Sequence, residues 1–304
     1  MKKSIWGKIG WFFVAVLPAF LSLALQFGAA IVIMFCISIA VGFQNADAGL
    51  SQNELMQLVS EQYMNSVGSV VLVYQVIGLV VFGLWYYLAY GKKKRPQNTE
   101  KAGIKGIVII VLAGMLLQIF ISGALGVLDM LFPNLLQGYL ELMETVGIGE
   151  MTPVVFIATV ILAPMGEEVL CRGIIFRLAG RVSTKFWVVN CIQALAFGVI
   201  HANLVQGTYA FFLGLILGYV YGKYHNIWLC MLLHGAVNLS SNFVDAVWGA
   251  LPETYMLPLV ALISFLSLAL LILFYRLLGK IKPVEMSEAK LPVEGADIQD
   301  AGAM

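Results

Sequence analysis

Eight apolar stretches dominate this chain, at residues 10–43, 67–91, 106–132, 151–165, 186–201, 206–222, 226–248 and 255–279. They are too uniformly apolar to leave a polar face, and crossing the roughly 30 Å of bilayer hydrocarbon takes a helix of about 20 such residues. The fourth and fifth reach that length only if their helices run on through the polar residues beyond them. Composition agrees, with 61% hydrophobic and 12% charged residues against about 25% charged in a soluble domain. A soluble fold is excluded. The chain reads as an all-α polytopic membrane protein of about eight spans. A net charge of +1, with no basic stretch interleaved with aromatics, excludes nucleic-acid binding. Cys36, Cys171, Cys191 and Cys230 sit in apolar sequence without CxxC spacing and read as small apolar residues.

Charge placement sets the topology. With both termini in the cytoplasm, all 18 Lys and Arg fall on the inner side, in segments 2–8, 92–105, 172–185, 223 and 276–290, while the outer loops carry only acidic charge. Two crossings in the first block would put Lys92–Arg95 outside, so that block reads as one span preceded by a surface-lying stretch up to Pro18. Ala46-Asp47-Ala48 is a weak cleavage match, but the apolar run exceeds a signal peptide's and reads as a retained anchor in the cell membrane. Ser51-x-x-Glu54 has capping-box form, and Leu135, Leu136, Tyr139, Leu140 and Met143 form a stripe, so both outer loops read as surface helices. Gly214, Gly218 and Gly222 form a small-residue stripe for close helix packing. The expected organisation is a three-span region over 1–150, a core over 151–248, a last span over 249–280 and a disordered tail over 281–304.

Ionisable residues at membrane depth cost several kcal/mol unless paired or hydrated, so each suggests function. The first cluster is Glu167-Glu168…Arg172. On a continuing helix, Glu168 and Arg172 are i,i+4 partners while Glu167 points about 100° away. The second is Phe197…His201 and the third His234…Asn238. Convergence around one hydrated cavity satisfies them best. By contrast, His225 reads as a solvated residue of a cytoplasmic turn. Counted along the helices, His201 lies deeper than His234, a gap that tilt must close.

A carboxylate and an imidazole sharing a water can hydrolyse a peptide bond, with a second imidazole and a carboxamide available as oxyanion donors. No G-x-S-x-G elbow or H-E-x-x-H is present. Glu167, His201 and His234 match zinc by ligand count. Their neighbours Val199, Ile200, Leu232 and Leu233 offer no side-chain acceptor to fix the imidazoles, which favours a mechanism without a cofactor. A silent scaffold or immunity protein, or a transporter, could use the same residues; the lack of an internal repeat argues against transport.

In these residues the chain resembles the CPBP family of intramembrane proteases, which includes type 2 CAAX prenyl endopeptidases and bacteriocin-processing or immunity proteins. Its ordered motifs E-E-x-x-x-R, F-x-x-x-H and H-x-x-x-N stand here as Glu167-Glu168…Arg172, Phe197…His201 and His234…Asn238. The resemblance covers about 151–248 and implies eight helices around a cavity open to the cytoplasm. It further implies that Glu167 and His201 activate water, that His234 and Asn238 stabilise the oxyanion, and that Glu168 and Arg172 support them. The partners implied are a peptide or protein substrate at the membrane and the bilayer itself. The family is described both as metalloproteases and as metal-free glutamate proteases.

Overall fold

A computed structural model describes residues 4–91, 99–145, 152–249 and 253–279. The Lys92–Arg95 cluster and the tail from Pro283 lie outside the described residues. Within them the chain is all helix: α1 (Ile5–Gln44), α2 (Gln52–Asn65), α3 (Val67–Gly91), α4 (Thr99–Leu131), α5 (Pro133–Thr145), α6 (Pro153–Ala179), α7 (Phe186–Val199), α8 (Leu204–Tyr224), α9 (Ile227–Gly249) and α10 (Glu253–Gly279). Six of these, α1, α3, α4, α6, α8 and α10, are long and apolar enough to cross a membrane. The remaining two apolar stretches of the sequence form shorter apolar helices, Phe186–Val199 and Ile227–Ser241. This is an all-α polytopic membrane fold, with large apolar side chains such as Phe35, Phe212 and Phe265 exposed around its rim as lipid demands.

Helix α1 runs unbroken through Pro18 with no turn at which it could double back. At 1.5 Å per residue its 40 residues span about 60 Å. The capping box forms as the sequence predicts: the Ser51 amide donates to Glu54 Oε2 at 2.7 Å, and Ser51 Oγ accepts from the Glu54 amide at 3.4 Å. Bonding to Ser51 holds the exposed Glu54 carboxyl below its ordinary range.

Backbone irregularity in α6 and close packing of α7 on α8 position the buried polar residues. Pro164 has no N–H for the carbonyl of Val160, and the ladder over Ile157–Leu162 runs i→i+5, a π-segment; a second covers Val169–Ile175. Together they bracket Glu167 and Glu168. The glycine stripe of α8 receives α7: a Cβ on Gly214 would lie 3.0 Å from the Ala194 Cα, so glycine permits this approach without displacing the neighbouring helix. Asn190 and Gln193 of α7 then reach the α8 backbone, donating to the carbonyls of Leu215 and Gly214 at 3.0 and 2.8 Å.

His225 departs from its expected place. It is 7% exposed rather than solvated, because it ends α8 in the left-handed region at φ 48°. Its ring packs edge-on against Tyr221 at 5.9 Å. Turning the chain sharply into α9 folds the residue inward, which a charge count along the sequence cannot detect.

Candidate active site

Glu168 and Arg172 face each other across one turn of α6 at 3.0 Å, each fully buried. A helix end with ordinary surface charges is thereby ruled out. The same Glu168 Oε1 accepts from His234 Nδ1 at 3.0 Å. A carboxylate oxygen that accepts a hydrogen bond from Arg172 can only accept again, so His234 Nδ1 carries the hydrogen. Arg172 also donates to the Gly214 carbonyl at 3.0 Å and lies over the face of Phe197, whose centroid is 4.9 Å away. The glycine stripe therefore does more than pack helices: its carbonyl at Gly214 takes both Gln193 and Arg172.

Glu167 points elsewhere, as the 100° helical step requires. Its Oε1 meets Gln75 Nε2 of α3 at 3.4 Å, and its Oε2 lies 4.0 Å from His234 Nε2. That Oε2 is buried and makes no hydrogen bond among the described residues. Glu167 lines a cavity of about 20 Å³ shared with Ser22 and Gln26 of α1, Tyr74, Gln75 and Gly78 of α3, and Gly166 of α6.

His201 sits in the turn between α7 and α8, where Ala202 takes a left-handed φ of 52° and Asn203 caps α8. Its Nδ1 lies 2.8 Å from the Phe197 carbonyl, an acceptor only, so Nδ1 again holds the hydrogen and Nε2 is left as an acceptor. The Phe197 ring stands between the imidazoles, edge-on to His201 at 5.1 Å and to His234 at 5.4 Å. The depth gap expected from residue counting is closed, since both rings lie against the one Phe197 side chain. His201 lies within electrostatic reach of Glu167 and His234, but it is His234 that approaches Glu167.

Asn238 is one turn beyond His234 and serves α6. The Ala163 amide bonds to the Ala158 carbonyl, and the residue five on from Thr159 is Pro164, so neither register satisfies the Thr159 carbonyl. Asn238 Nδ2 donates to it at 2.8 Å.

The expected obstacle to zinc is removed. Each imidazole does have its acceptor, Glu168 for His234 and the Phe197 carbonyl for His201, supplied across helices and from the backbone where flanking residues gave no hint. The Nε2 atoms suit a metal equally with a proton. Yet among the described residues no three His, Cys, Asp or Glu are grouped to hold an ion, so the fit to zinc is incomplete.

Sequence reasoning missed Gln26, Tyr74, Gln75 and Gln193. The available signal was an uncharged polar residue within an apolar run, as in Leu-Gln26-Phe and Val-Tyr74-Gln75-Val.

Residues 149–240 match the family described as type II CAAX prenyl endopeptidase Rce1-like. A relative from Bacillus subtilis (strain 168), provisionally named membrane peptidase YdiL, is 23% identical over 146 residues. That match covers 48% of this chain and 59% of the relative's length. No solved structure matches. The three motifs meet in one buried cluster, and the family match spans all of them; together these findings support the likeness to the CPBP family over that region.

Proposed function

We propose that this protein is a membrane-embedded endopeptidase that hydrolyses a peptide bond of a membrane-associated protein or peptide, using water activated by Glu167 and histidine. The observation that carries this reading is the division of labour between adjacent carboxylates. Glu168 engages both Arg172 and His234 through its Oε1; each carboxylate keeps a buried oxygen with no hydrogen bond among the described residues, but that of Glu167 faces the His234 imidazole and Glu167 borders a cavity of one-water size.

In the reaction, Glu167 takes a proton from water as the oxygen attacks the scissile carbonyl carbon. The C–O bond forms and the carbonyl π electrons move to oxygen. Collapse of that oxyanion breaks the C–N bond, and the amine leaves with the proton held by Glu167. His201 presents Nε2 as a further proton acceptor. His234, with a carboxylate at each ring nitrogen, donates from Nε2 when it carries both protons and can then face the oxyanion. The Nδ2 group of Asn238 lies on the same helix face one turn on.

The deciding experiment compares purified wild type with Glu167→Gln on a panel of fluorogenic peptides in proteoliposomes. Loss of about 10²- to 10⁴-fold in turnover, with unfolding unchanged, is expected. Full activity in Glu167→Gln refutes the proposal.

A further inference from the structure

Glu167 draws its surroundings from outside the matched region. The cavity beside it is walled by α1 and α3, through Ser22, Gln26, Tyr74, Gln75 and Gly78, all of which precede residue 149, where the family match begins. A site of about 20 Å³ exceeds the roughly 10–15 Å³ that a single water centre needs, and such a water requires 2–4 polar partners. Ser22, Gln26, Tyr74, Gln75 and Glu167 supply them. Gln75 is 5% exposed, and its amide is shared between the Tyr74 hydroxyl at 2.9 Å and Glu167 Oε1 at 3.4 Å. Gln26 donates to the Ile200 carbonyl at 3.2 Å, tying the α1 wall to the turn that carries His201.

Resting on the hydrolytic reading, we infer that this cavity is the binding site of the hydrolytic water and that Gln75 is the positioning residue that turns the Glu167 carboxylate between that water and His234. The first two spans, α1 and α3, are then part of the active site rather than its support. One oxygen of Glu167 is held by the Gln75 amide, which leaves the other to receive the proton. Misplacing a reacting group by about 1 Å costs about 10²-fold in rate.

The cavity can be filled without disturbing the fold. A Cβ on Gly166 would meet nothing closer than Gln75 Oε1 at 3.6 Å, and one on Gly78 nothing closer than the Phe82 ring at 3.9 Å. Both are ordinary contacts, and alanine suits a helix better than glycine. Gly166→Ala and Gly78→Ala should therefore raise or preserve the thermal midpoint while lowering kcat at least about 10-fold with KM unchanged, up to the 10²-fold of a displaced base. Gln75→Met, of similar size without the amide, should do the same. Gly28→Ala, on α1 with nothing within 4 Å, is the control and should match wild type. If Glu167→Gln is inactive while Gly166→Ala and Gln75→Met turn over like wild type, the water site is overturned and the peptidase reading stands. An active Glu167→Gln overturns both. A second measurement needs no substrate: water-edited solid-state NMR in bilayers should show water contact at the Gln75 side-chain amide, lost in Gly166→Ala. A dry amide in wild type refutes the inference.

Discussion

Arg172→Met tests the buried network most sharply. The guanidinium is fully buried with one carboxylate, one carbonyl and one aromatic face as its surroundings. Methionine fills much of the space and removes the charge, leaving Glu168 an ionised, fully buried carboxylate with only His234 Nδ1 to answer it. Removing one partner of a buried pair costs about 3–5 kcal/mol, about a 10²- to 10⁴-fold change in the folding equilibrium. The Gly214 carbonyl contributes little to that cost, since Gln193 still donates to it. Adding Glu168→Gln should return most of the loss: it deletes the stranded charge while its amide oxygen still accepts from His234. The double variant should lie within about 1–2 kcal/mol of wild type, the worth of a neutral hydrogen bond or two. Reversible unfolding in mixed micelles near pH 7 reads all three proteins. A single variant as stable as wild type, or a double variant no better than the single, refutes the reasoning.

His201→Ala should reduce peptide turnover by about 10²- to 10⁴-fold as a lost acid–base group, measured beside unfolding to exclude collapse of the turn. Asn238→Ala should lower stability as well as turnover, because it strands the Thr159 carbonyl; a pure activity loss with unchanged unfolding would contradict the contact. Single cysteines at Ser51 and Gln137 should label from outside with an impermeant reagent and one at Thr184 should not; the reverse pattern would invert the topology. Elemental analysis of active protein purified without added metal should find far less than one zinc per chain, whereas activity lost to chelation and restored by Zn²⁺ alone would make Glu167, His201 and His234 its ligands. At α2 the folded-state shift of Glu54 is downward, so its stabilisation is present above the ordinary carboxylate range and disappears as pH falls through the depressed value. Amide exchange in the first turn of α2 should therefore accelerate only in strong acid, and Ser51→Ala should remove that dependence.

Local spacing made part of the site legible. The i,i+4 separation of Glu168 and Arg172 forces them onto one face, and the separate aim of Glu167, about 100° round the helix, comes from the same geometry. The capping box is a local device and was equally readable. What depends on helix meeting helix was not. Gln75 reaches Glu167 only because α3 packs on α6, and Gln193 meets Arg172 at Gly214 only because the glycine stripe draws α7 onto α8. The acceptors of the imidazoles lie in another helix and in a backbone carbonyl, so flanking side chains were the wrong place to seek them. The role of Asn238 for Thr159 needed Pro164, a residue visible in the sequence whose effect on the ladder shows only once the π-segment is formed.

Because Glu168 and Arg172 belong to the same turn of α6, their neutralisation is available as soon as that helix forms. Entry into the bilayer is therefore eased before any neighbour arrives: what must partition is a dipole instead of two separate ions, and the penalty for a charged residue at the helix centre, about 2.5–3.5 kcal/mol each for separate groups, is partly cancelled within the segment. Glu167 has no such partner in its own helix and must wait for α3 and α9. The order of assembly is thus written into the register of one short motif, with the structural pair able to cross first and the reactive carboxylate sheltered only when the bundle closes around it.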